Sequence, residues 1–118
     1  EKGIELILIK APSLCPYWYP EWEAQVEEYA AAHNLRYINF LELQEDTGID
    51  YSTDTYDGGL HMNLSGAEKL SRYLGKKLTE ELKVPDRRDE AHLSALWEEK
   101  IAAYEAEKEE QYRYYGMK

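Results

Sequence analysis

Asp57 and His61 stand four residues apart in the stretch "TYDGGLHMNLSGAEKL", Thr55 to Leu70. An imidazole works as a general base when a carboxylate holds one of its ring nitrogens. The carboxylate fixes the tautomer and stabilises the imidazolium that forms, and the second nitrogen faces the group to be deprotonated. Gly58 and Gly59 permit the sharp turn that would bring the two side chains together. The same residue types also build ordinary turns, and a histidine beside a helix start can be a neutral side chain with no chemical role. Asp54 is a second candidate for the orienting acid. Ser13 and Cys15 are the rival nucleophiles within the chain, but "APSLCP" has no glycine and lacks the sharp elbow that exposes a catalytic serine. Asp54, Asp57 and His61 could share a divalent ion, yet no H-x-x-x-H pair or compact carboxylate array accompanies them. Neither a metal nor an organic cofactor is expected.

The elements that must position these residues are few. "IELILIK" (Ile4 to Lys10) is a nearly continuous apolar run and reads as a strand buried on both faces, as inside a parallel sheet. "APSLCPYWYP" carries three prolines and cannot continue it. Pro20 suits the first turn of a helix, and Trp22, Val26, Tyr29 and Ala30 recur at helical spacing to about His33. "NL" breaks that helix, and "RYINF" (Arg36 to Phe40) returns to strand. The unit is β-α-β with parallel strands. Leu41 to Leu60 reads mostly as loop. Ser65 with Glu68 reads as a capping box opening a helix to roughly Lys83, with Leu70, Tyr73, Leu74 and Leu78 on one side. Pro85 ends it. A second helical region begins near Asp89, with Leu93, Leu96, Trp97, Ile101 and Tyr104 on one side and glutamate and lysine on the other.

Composition narrows the partners. The 118 residues carry a formal charge of −10, which repels phosphates and argues against nucleic acid and against anionic membranes. No apolar run reaches the length of about 18 residues that spanning a bilayer needs. A single cysteine excludes an internal disulfide and leaves the compartment undetermined. Eleven tyrosines against one phenylalanine, Tyr104, Tyr112, Tyr114 and Tyr115 among them, suggest a contact surface near the C-terminus.

Taken in order, strand, Pro-rich loop, helix, strand, acidic loop, Asp, His and capped helix resemble the C-terminal block of the SGNH (GDSL) hydrolases. The residues that carry the resemblance are "YDGGLHMNLSGAEKLSRYLGKKL", with Asp57 and His61 answering to the family's Asp–His block and Asn63 to Ala67 opening its final helix. "ELILIKAPS" and "LRYINF" look like the last two core strands of the family's sheet. The likeness spans about Ile4 to Leu82. The family's spacing is Asp-x-x-His, one residue shorter than here. Its nucleophilic "GDS" block and oxyanion-hole residues have no counterpart in this chain.

The resemblance implies an α/β fold, the C-terminal part of a flavodoxin-like three-layer parallel-sheet domain in residues 1–84, with a charged helical extension in 85–118. It implies a serine esterase or acyltransferase, acting on a carbohydrate or lipid O-acyl substrate. His61 would be the general base and Asp57 its orienter, towards a serine from outside these residues. Two strands cannot cover "IELILIK", so self-association or pairing with a missing N-terminal part is expected, and the chain alone is expected to be inactive. The rival expectation is a non-catalytic interaction module that binds through the acidic C-terminal helix, with Asp57 and His61 only building a turn.

Overall fold

The computed structural model describes residues 3–116. It places β1 at Ile7–Lys10, α1 at Pro20–Ala32, β2 at Arg36–Asn39, α2 at Gln44–Thr47, α3 at Leu64–Glu80 and α4 at Ala91–Tyr115. The chain divides into two compact units, one reaching to Leu74 and one starting at Gly75. The division falls inside α3.

The β-α-β unit forms for the reasons its sequence gives. Pro12 stops β1, and Pro20 occupies the first turn of α1, where its fixed φ is already helical and its missing N–H is not needed. Asn34 ends α1 with a left-handed φ of 52°. The Leu35 N–H then donates to the Ala30 carbonyl at 2.8 Å and the Asn34 N–H to Ala31 at 3.2 Å, the paired bonds of a Schellman stop. β1 and β2 pair in parallel, Leu8 opposite Tyr37 and Lys10 opposite Asn39. Glu23 of α1 ties the unit together, accepting from Trp18 Nε1 at 2.7 Å and from Asn39 Nδ2 at 3.1 Å.

The three-layer flavodoxin-like domain is not what these residues build. The sheet has two strands of four residues each, and helices of 13, 17 and 25 residues dominate the chain. The expectation failed because it borrowed strands from a resemblance that this chain does not itself contain. The strand buried on both faces is corrected with it: regular pairing begins only at Ile7, and Ile4, Leu6 and Ile9 are exposed. Among the described residues, the buried apolar side chains include Ala30, Phe40 and Ile49, with Tyr73 of α3 edge-on to Phe40 at 5.9 Å.

Two further differences are local. The expected loop after Phe40 contains the short α2, closed by Gly48 at φ 67°. The cap of α3 is Asn63 rather than Ser65. Asn63 Oδ1 accepts the Gly66 N–H at 3.1 Å, the third helical residue, as an N-cap does. In the second unit, α3 ends at Glu80 and α4 runs unbroken over 25 residues. The link between them carries two local ion pairs, Asp86 with Arg88 and Arg87 with Glu90.

Candidate functional site

The loop before α3 is assembled by its own short polar side chains. Asp50 Oδ1 accepts from the Ser52 backbone at 2.9 Å, an Asx turn. Thr55 Oγ1 donates to the Tyr51 carbonyl at 2.6 Å and accepts the Gly59 N–H at 2.8 Å. Thr55 and Met62 meet as an isolated antiparallel bridge, and the Tyr56 N–H donates to the His61 carbonyl at 2.9 Å. Between them the chain turns through Gly58 at φ 69° and Gly59 at φ 105°, positive values that glycine takes most readily.

Asp57 sits at the centre of this turn. Its Oδ1 accepts the His61 N–H at 2.7 Å and the Leu60 N–H at 3.2 Å. Its Oδ2 lies 2.6 Å from His61 Nδ1. A carboxylate only accepts, so Nδ1 carries the hydrogen and Nε2 of the neutral ring keeps its lone pair. Nε2 has no hydrogen-bond partner among the described residues, and the His61 side chain is 78% exposed. The imidazole and the two backbone N–H groups hold the Asp57 carboxyl below the usual carboxylate range, the ring hydrogen bond contributing most. The arrangement leaves one ring nitrogen held by a carboxylate and the other open to solvent.

Asp54 does different work. It is 2% exposed. Its carboxylate accepts from Lys69 Nζ at 2.5 Å, the Ser65 hydroxyl at 2.7 Å and the Asp50 N–H at 2.8 Å. Those three donors occupy it, and the carboxylate that meets the His61 ring is Asp57, not Asp54. Burial pushes the Asp54 carboxyl up, but the ammonium and the two other donors outweigh it and hold the group low. Asn63 adds a second tie, donating from Nδ2 to the Thr53 carbonyl at 2.8 Å. The start of α3 is thereby fixed to the loop that carries the pair.

Comparison of the chain with family models, with known proteins and with solved structures returns no match. The site therefore stands on its own geometry. Ser13 does lie at this loop, but its hydroxyl donates to the Leu60 carbonyl at 2.8 Å, which takes its proton away from His61. Cys15 is exposed. Tyr19 and Trp18 both meet Trp22 edge-on, at 5.2 and 6.2 Å, and so cluster about the start of α1. Among the described residues no group of three or more His, Cys, Asp or Glu gathers as a metal site, and no helix is long and apolar enough to cross a membrane.

Sequence reasoning missed Lys69, Asn63 and Gly66 as the parts that place this loop. A Cβ at Gly66 would stand 2.3 Å from the Asp54 carbonyl oxygen, so α3 approaches Asp54 closely only because residue 66 is glycine. The sequence offers both Asn63 and Ser65 as caps of this helix, and residue type alone does not choose between them.

Proposed function

We propose that this chain supplies the general base and its orienter to a serine esterase or acyltransferase of the SGNH type, acting on a carbohydrate or lipid O-acyl ester. The observation that carries the reading is the 2.6 Å contact of Asp57 with Nδ1 of an exposed His61. His61 Nε2 takes the proton of a serine hydroxyl as that oxygen attacks the acyl carbonyl. Asp57 stabilises the imidazolium, which then protonates the departing alcohol. Water, or an acceptor hydroxyl, enters by the same route in the second half-reaction. A base so placed contributes about 10²–10⁴ in rate. The serine and the oxyanion donors come from outside these residues, through pairing of this chain with the part that bears them.

A fluorophosphonate serine probe followed by intact-mass analysis tests this, on the 118-residue chain and on a longer protein extended upstream. Labelling of the longer protein alone, lost on His61→Ala with the fold intact, is the expected result. Labelling of the short chain at Ser13 would overturn the external serine. No labelling of either would favour the second reading.

That second reading is an interaction module. α4 exposes Leu96, Trp97 and Ile101, and a groove of about 350 Å³ runs along Leu93, Trp97 and Ile101 beside Arg87 and Arg88. In this reading partner binding is lost on Trp97→Ala or Ile101→Ala and is indifferent to His61.

A further inference from the structure

We propose that Ser13 is a positioning residue for His61, acting through the Leu60–His61 peptide. The inference rests on the acid–base reading above.

One peptide unit is gripped at both of its polar ends. Its carbonyl, that of Leu60, accepts the Ser13 hydroxyl at 2.8 Å. Its N–H, that of His61, donates to Asp57 Oδ1 at 2.7 Å. Asp57 then uses its other oxygen on the ring of the same histidine. The orientation of the peptide plane and that of the imidazole are therefore coupled through one carboxylate. Rotation of the plane would carry the N–H off Oδ1 and pull the carboxylate away from Nδ1.

The segment before this peptide is the softest in the loop. Gly58 and Gly59 both hold positive φ, and glycine leaves such a segment many other conformations. Something outside the turn has to choose among them. The loop after β1 does so with two successive residues on two successive carbonyls: the Leu14 N–H takes Gly59 O at 2.7 Å, and the Ser13 hydroxyl takes Leu60 O at 2.8 Å. The approach is close enough that a Cβ at Gly59 would come within 2.6 Å of Leu14 Cδ1. The Leu14 bond is made by backbone and survives substitution. The Ser13 bond depends on a side chain, and of the hydroxyls at this turn it is the one that grips the Leu60–His61 peptide itself, the Thr55 hydroxyl holding the Gly59 N–H instead.

The readout is the tautomer of His61, which needs no substrate. Long-range ¹H–¹⁵N spectra of the imidazole are recorded for the labelled chain and for Ser13→Ala, Ser13→Thr and Ser13→Val. The unsubstituted chain is expected to hold a single Nδ1–H tautomer. Ser13→Ala should give a mixture in which Nε2–H is plainly populated, and Ser13→Thr should restore the single form. Threonine and valine match in shape, so a difference between those two variants reports the hydroxyl and not the volume, even if alanine at 13 loosens the loop. A single Nδ1–H tautomer in both Ser13→Ala and Ser13→Val would overturn the proposal, as would a mixture in the unsubstituted chain. A tautomer that responds to Ser13 while no longer protein takes the fluorophosphonate would uphold the positioning role and sink the hydrolase reading. Labelling together with an unresponsive tautomer would do the reverse.

Discussion

Lys69 reaches back from the second turn of α3 to place Nζ 2.5 Å from Oδ2 of Asp54, a carboxylate with almost no surface of its own. The two partners are unequal, because the Lys69 side chain keeps 33% of its surface in water. Removing either one therefore has a different cost.

Lys69→Met leaves a buried carboxylate short of the cation that pairs with it, with Ser65 and the Asp50 N–H remaining. That loss should destabilise the chain by about 3 kcal/mol, the low end for breaking a buried pair from one side. Asp54→Asn leaves an ammonium that can turn to solvent and should cost only about 1–2 kcal/mol. Urea unfolding of the two variants checks the order, and an equal cost would refute the asymmetry.

Acid should remove the same contribution. The folded Asp54 carboxyl lies below its ordinary value, while in the unfolded chain it titrates near 4 (about 4 for a free aspartate). A depressed folded value means that the unfolded state binds the proton more readily. The stabilisation is complete above about pH 4 and drains away as the pH falls through the lower folded value. The stability gap between the parent chain and Asp54→Asn should be constant from pH 7 to 5 and narrow below 4. A gap that stays level to pH 2 would show that the charge of Asp54 is not what stabilises the loop.

Gly66 and Gly75 lie in one helix and should answer alanine with opposite signs. Alanine favours a helix interior over glycine by about 1 kcal/mol. At Gly75 a Cβ meets nothing within 4 Å, so Gly75→Ala should raise the melting temperature. At Gly66 it meets the Asp54 carbonyl at 2.3 Å, backbone that cannot step aside. Gly66→Ala should lose about 1–3 kcal/mol to overpacking and shift the backbone resonances of Asp54 to Met62. A melting temperature raised by both would mean that the contact is not held in solution.

Asn63→Ala removes the cap of α3 and the tie to Thr53. The cap alone is worth about 1 kcal/mol, and thermal unfolding should show at least that loss. Ser65→Ala should instead act through Asp54, with the amide of Gly66 undisturbed in exchange measurements.

The parts of the fold that the sequence declared are those settled within a few residues. Pro12, Pro20 and the Asn34–Leu35 stop mark β1, α1 and β2 with little help from elsewhere. The Asp57–His61 pairing was legible for the same reason: both residues lie in one turn, and two glycines between them allow it to close. The cap of α3 was not legible, because asparagine and serine are equally good caps. What decides between them is that buried Asp54, eleven residues upstream of Ser65, claims the serine hydroxyl. The sheet was misjudged because "IELILIK" has the composition of a central strand. Composition says what a strand would bury, and partners have to be present for it to do so.

That strand carries a liability of another kind. Its sequence is β-branched, free of proline and neutral overall, with Leu6 and Ile9 open to solvent. Those are the properties of segments that stack into cross-β fibrils. Glu5 and Lys10 bracket the apolar stretch and act as gatekeepers, since stacking in register would pile like charges on one another. Neutralising them would leave Leu6 to Ile9 unguarded, and amyloid growth would then compete with folding for the strand that holds β2 in place.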